Sequence, residues 1–184
     1  MSSEAVLAAG AKPRENEGAR AHGGLATIDY LTLFLIGLVV VLVSLPRLRR
    51  FALRENELDA IALLQDLGAD MAEFGQGLPA GGIAGLLAAN PRHENRFEDL
   101  EVLPDGALRR HGYLFDAQET HPGQWVLRGW PWEHGHTGLG AFVYSPALGL
   151  LGNENASGAC DGPNRPPDPP DGAGPDSNWR ALQR

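Results

Sequence analysis

Two sets of residues have types and spacings that could do chemistry, and they lie far apart in the chain. The first is a single acid. Asp29 is the only charged side chain in the apolar run over residues 25–45, LATIDYLTLFLIGLVVVLVSL. A carboxylate in such a run costs roughly a few kcal/mol in a bilayer unless it reaches the interface or is paired, so its natural chemistry is that of an ion-pair partner. The second set lies in GWPWEHGHTGLGAF, residues 129–142. There His134 and His136 are expected on the same side of a strand, and with Glu133 or His111 they offer the first ligands of a metal site. A metal set needs a third and fourth ligand, which the sequence does not place, and Gly and Pro at this density mark a hairpin more directly than a site. His93 and Glu94 are neighbours one residue apart; they share no helix face and are read as surface.

Other chemistries leave no trace in the sequence. There is no phosphate loop, dinucleotide fingerprint, nucleophile elbow or paired-cysteine zinc spacing, so the chain is not expected to be an enzyme. With 15 basic and 23 acidic residues the net charge is -8, and the only basic cluster is Arg47, Arg49, Arg50 and Arg54, which argues against nucleic acid as a partner. Cys160 is the only cysteine, so no internal disulfide can form.

The element that positions Asp29 is the apolar run itself. As a helix its 21 residues span about 31 Å, close to the hydrocarbon thickness of a bilayer. It is preceded by a short polar stretch, in which VLAAGA is too short for the apolar region of a secretory signal peptide. Pro46 follows the run and is expected to kink, but not to end, a helix that continues to about Phe74.

Gly24, Leu25, Asp29 and Pro46 together resemble the N-terminus of type IV prepilins and of the pseudopilins of type II secretion systems. In that family a prepilin peptidase cuts after a glycine, the next residue is hydrophobic, the fifth residue after the cut is an acid, and a proline lies twenty-two residues after it. The four residues here fall on all four places. The family's acid is usually glutamate, and Asp29 departs from it by one methylene. The motif covers residues 24–46 only, and beyond it the likeness is one of layout.

The resemblance implies that residues 1–24 are a cytoplasmic leader that is removed, that the new amine of Leu25 is N-methylated, and that this amine is neutralised by Asp29 of a neighbouring subunit. Residues 25–46 would then be both membrane span and filament core. The implied partners are a prepilin peptidase, other pilin or pseudopilin subunits and the bacterial inner membrane, with the C-terminal domain in the periplasm or outside the cell. The positive-inside rule taken alone favours the opposite side, because four arginines follow the span while Lys12, Arg14 and Arg20 precede it. Basic residues directly after the proline also occur in pilin-like proteins.

Beyond Pro46, Leu58, Ile61, Leu64, Leu67, Met71 and Phe74 recur at spacings of three and four, with Glu55, Glu57, Asp59, Asp66, Asp70 and Glu73 on the other face. This predicts an amphipathic half-helix with a soluble domain packed on it. A connector over residues 80–100 holds a short helix anchored by Ile83, Leu86 and Leu87. From Leu103 the alternation Tyr113/Phe115, Trp125/Leu127 and Phe142/Tyr144 predicts the core of a meander of three or four antiparallel strands. The soluble domain is placed at residues 47–152. The remainder, residues 153–184, is rich in Gly, Pro, Asp and Asn and is expected to be irregular, with Trp179 returning to dock on the domain.

Type II major pseudopilins carry a calcium loop near the C-terminus, and Asp161, Asp168, Asp171 and Asp176 invite the comparison. Their spacing is irregular and broken by prolines, so the residues themselves give calcium no support, and no cofactor is expected. The sequon Asn155, Ala156, Ser157 means little in a chain of the bacterial origin that the resemblance implies. Many type IV pilins close a C-terminal loop with a disulfide, and the single Cys160 favours a pseudopilin or other pilin-like subunit. The expected fold is α+β and pilin-like, a long N-terminal helix on a small antiparallel sheet, and the expected role is structural. A single-pass anchored periplasmic domain that binds a ligand or metal through His134 and His136 is the alternative.

Overall fold

The computed structural model describes residues 27–75, 77–89, 99–169 and 178–182. The chain divides into two compact units, one ending at Val43 and one beginning at Ser44. The helix α1, Thr27–Phe74, contributes to both. Pro46 lies inside α1 without ending it.

In the second unit α1 is followed by α2 (Gly82–Ala89) and by strands β1 (Glu101–Val102), β2 (Leu108–Arg110), β3 (Tyr113–His121), β4 (Gln124–Pro131), β5 (Ala141–Ser145), β6 (Gly149–Asn153) and β7 (Arg180–Ala181). The strands form one antiparallel sheet in the order of the sequence, β1 to β7. The architecture is therefore α+β, with seven strands in place of the expected three or four.

The extra strands come from turns hidden in the apolar pattern. The stretch ALRRHGYLFDAQE is two strands, because His111 and Gly112 both take positive φ (44° and 78°) and close a two-residue turn between the paired residues Arg110 and Tyr113. That is the twist a tight hairpin requires, and a histidine at its first position disguises it. The stretch SPALG likewise divides β5 from β6, which pair Ser145 with Gly149. The edge strands β1 and β7 have two residues each, too few to leave a period in the sequence.

The register builds two faces. On one, Phe115, Gly129, Phe142 and Gly152 stand in a row across β3 to β6, beside a second row of Ala117, Leu127, Tyr144 and Leu150. These aromatic and aliphatic side chains join Ala60, Leu63, Leu64, Leu67 and Met71 of α1 and Ile83 and Leu86 of α2 in the main core. The alternating pairs singled out in the sequence all belong to it. The helical stripe is turned from the expected one. Leu58 is 51% exposed and Phe74 is 40% exposed. Leu58 precedes Leu67 by nine residues, which at about 3.6 residues per turn is half a turn out of phase with the buried side.

Two glycines set how closely α1 and the sheet approach. A Cβ on Gly129 would lie 3.0 Å from Cδ1 of Leu64, so the leucine fills the gap between Phe115 and Phe142. A Cβ on Gly68 would lie 2.3 Å from the ring of Tyr144, so the tyrosine reaches the helix backbone. Trp125 stacks on that ring, with centroids 6.1 Å apart.

The opposite face carries Leu114, Trp130 and Ala141, against which Leu103, Trp132, Cys160 and Trp179 pack. Residues 154–169 contain no helix or strand and cross this face as a strap. Trp130 Nε1 donates to the Gly162 carbonyl at 2.7 Å, and Arg128 Nη1 donates to the Pro167 carbonyl at 3.2 Å. Arg128 also forms a two-bond ion pair with Asp116 across β3 and β4. Trp179 thus docks where the sequence led one to expect, and it is followed by β7, which pairs with β6.

The Gly68 contact yields a prediction with an unusual sign. Glycine to alanine inside a helix normally stabilises by about 1 kcal/mol. Here the added methyl drives a stacked ring out of place, an overpacking cost of about 1–3 kcal/mol. Gly68→Ala is expected to lower stability in denaturant unfolding of the full chain in detergent, and the same change made together with Tyr144→Leu is expected to raise it relative to Tyr144→Leu alone. Stabilisation by Gly68→Ala in the otherwise unaltered chain would rule out the contact.

Candidate functional site

The chemistry-bearing residues are held in two places. Gly24 and Leu25 lie outside the described residues. Asp29 occupies the first turn of α1, where the positive end of the helix dipole favours an acid. From residue 27 to residue 43 every side chain is exposed, among them Ile28, Leu31, Phe34, Ile36, Val40 and Leu42. This part of α1 is long and apolar enough to cross a membrane. An exposed apolar surface of this length requires a cover of lipid or of other helices.

The second place is the loop between β4 and β5, and its chemistry differs from the expected one. His134 and His136 do not share a strand face; they sit in a tight loop in which His134 bridges to Gly138. His134 is half-buried, its amide donates to Asp161 Oδ1 at 2.7 Å, and its ring lies against Gly158, where a Cβ would be 3.0 Å from Nδ1. His136 is exposed, with Nδ1 3.2 Å from Nη2 of Arg49 and Nε2 3.6 Å from Glu133. The arginine beside His136 and the backbone role of His134 leave the pair facing different partners. Among the described residues no three His, Cys, Asp or Glu side chains are grouped as a metal ion needs.

The loop is gripped by α1. Arg49 Nη2 donates to the Gly135 carbonyl at 2.8 Å, and Asn56 Nδ2 donates to the Thr137 carbonyl at 2.8 Å. Glu57 Oε1 accepts from the Leu139 and Gly140 amides, both at 3.0 Å. From the sheet side, the buried Tyr113 hydroxyl donates to the Gly140 carbonyl at 3.1 Å. Burial pushes the Tyr113 phenol far up, the charge of Glu57 adds to this, and a contact with the Leu139 backbone offsets part of it, so the hydroxyl stays protonated as a donor. Gly138 has to be glycine, because a Cβ there would lie 2.2 Å from that hydroxyl. Arg49, Asn56 and Glu57 were not legible as a set. The only trace of them is the Gly-Leu-Gly at 138–140, which bares two adjacent amides to an acceptor.

The remaining candidates are committed to the fold. His111 is held on α1 by Asp59, with Nδ1 3.0 Å from Oδ2, at the tip of the β2–β3 hairpin. Asp161 accepts from His134 and pairs with Arg165 at 2.8 Å. Cys160 is a free, half-buried thiol whose backbone exchanges two hydrogen bonds with the Asn155 side chain. Burial raises its pKa, with a further push from Asp168. His93, Glu94, Asp171 and Asp176 lie outside the described residues. Compared with known proteins, the chain matches no family model, no curated protein and no solved structure.

The grip on the loop depends most on Glu57, which serves two amides with one oxygen. Removing a charged acceptor costs about 2 kcal/mol, and a neutral acceptor recovers part of it. Glu57→Ala is therefore expected to destabilise the second unit by about that amount, with Glu57→Gln in between. Denaturant titration of the full chain in detergent reads both. Equal stability of all three proteins would count against the clamp.

Proposed function

We propose that this chain is a pilin-like structural subunit, anchored in the bacterial inner membrane by α1 and assembled with other copies or related subunits into a filament of a type II secretion or type IV pilus-like machine. The observation that carries the reading is α1 itself: one helix whose apolar first part is fully exposed, with an acid in its first turn, and whose last part forms the core of an antiparallel α+β unit. The positions of Gly24, Leu25, Asp29 and Pro46 support it. So does the use of the polar residues on α1, which hold the loop over residues 135–140 in place instead of facing a cleft.

In this reading prepilin peptidase cuts between Gly24 and Leu25, and the new amine meets Asp29 of a neighbour inside a filament core that the exposed apolar residues of α1 fill. The ion pair cancels two charges in an environment where either alone is costly. The C-terminal unit faces the periplasm or the exterior.

The mass of the membrane-extracted protein tests the first step. A chain beginning at Leu25 is expected in cells with an active prepilin peptidase, and Gly24→Val is expected to block the cut. Asp29→Ala is expected to leave cleavage intact and to hinder assembly. Full-length protein starting at Met1, or normal assembly of Asp29→Ala, would overturn the mechanism. The metal-binding alternative has its own test. Elemental analysis of the purified protein is expected to find no stoichiometric zinc, and zinc that is lost on His134→Ala with His136→Ala would revive that alternative.

A further inference from the structure

We propose that Arg47, Arg50 and Arg54, with Phe51 among them, form a docking face for the anionic headgroups of phospholipids. The inference rests on α1 crossing a membrane and is independent of filament assembly.

Four arginines follow Pro46 within eight residues, and the structure separates them. Arg49 turns toward the sheet and is used there, on the Gly135 carbonyl and beside His136. The other three lie at i, i+3 and i+7 with Phe51 at i+4, which places them on one face of the helix, away from Arg49. Buried Leu53 and Ala60 mark the side that packs on the sheet, and Arg47, Arg50, Phe51 and Arg54 are all exposed. Among the described residues none of these three guanidiniums has a hydrogen-bond or ion-pair partner.

The position fits the ligand. The face begins one residue after Pro46 and runs for about 12 Å of helix, enough to cross the polar layer of about 5–8 Å at one side of a bilayer. Charge complementarity fits as well: the chain carries a net charge of -8, yet gathers its densest positive cluster at the end of its apolar run. A guanidinium presents paired donors to a phosphate, while Phe51 and Leu48, exposed at 64% and 63%, add apolar surface at the depth of the glycerol backbone. Each basic residue near an anionic surface contributes enough that three together favour anionic over zwitterionic lipid by about a hundredfold.

The test uses the full chain in non-ionic detergent, titrated with phosphatidylglycerol or with phosphatidylcholine and read by native mass spectrometry. Phosphatidylglycerol is expected to bind about a hundredfold more tightly at low salt, with the preference shrinking as salt is raised. Arg47→Gln, Arg50→Gln and Arg54→Gln combined are expected to abolish the preference, and the same three changed to Lys to keep most of it. Arg49→Gln is expected to keep it too. Equal binding of the two lipids, a triple Gln variant that behaves like the unaltered chain, loss of the preference in Arg49→Gln alone, or full competition by equimolar inorganic phosphate would each overturn the proposal. The readout involves no cleavage or assembly, so its failure would leave the filament reading standing, and the reverse holds.

Discussion

The second unit depends on how closely α1 and the sheet can approach, and two missing side chains set that distance. Leu64 enters the row of the sheet at Gly129, and Tyr144 enters the helix at Gly68. Each surface offers the other one seat, so the helix can neither slide nor roll without lifting a large side chain out of a gap. Glu57 is eleven residues before Gly68, about 16 Å along the axis. With the register fixed at Gly68, Glu57, Asn56 and Arg49 come level with the loop over residues 135–140 and can hold it through backbone groups. Polar contacts of that kind contribute modestly on their own; they become specific because the packing has already fixed the geometry.

The two faces of the sheet are closed by different means. The inner face is covered by helices and is almost wholly apolar. The outer face is closed by a strap without regular structure, held through Trp130 and Arg128, whose guanidinium stands 5.9 Å from the Trp130 ring while pairing with Asp116. A segment poor in apolar residues can lie there because the sheet supplies donors that its carbonyls accept. Composition alone could not convey this, since the partners of residues 162 and 167 lie more than thirty positions away.

How much was legible follows from the range of each interaction. The apolar run, the end of α1 near Phe74, the short α2 and the alternating aromatics of β3, β4 and β5 are local patterns, and the structure contains them. The phase of the helical stripe was less legible, because Leu58 and Leu64 look equivalent in sequence and only the sheet selects between them. The count of strands was missed where His111 took a conformation usually given to asparagine or glycine, and where two-residue edges left no period. For the candidate site, the histidines drew attention by their type, yet His134 acts through its amide and His136 stands beside an arginine. Glu57, which the pattern assigned to the solvent side, turned out to hold the loop.

The order of the strands bears on how the chain acquires its structure. Every strand pairs with the one before it, and β2 with β3, β3 with β4 and β5 with β6 are joined by short turns. Sheets usually form slowly because distant segments must find each other, and a meander avoids most of that search. Hairpins can close one after another as their residues become available, each offering an edge to the next. Two closures join segments distant in sequence: the seating of the helix at Gly68 and Gly129, and the return of Trp179 and β7 to the sheet. A chain interrupted before Trp179 would therefore hold most of its sheet while leaving one edge of β6 open to another strand.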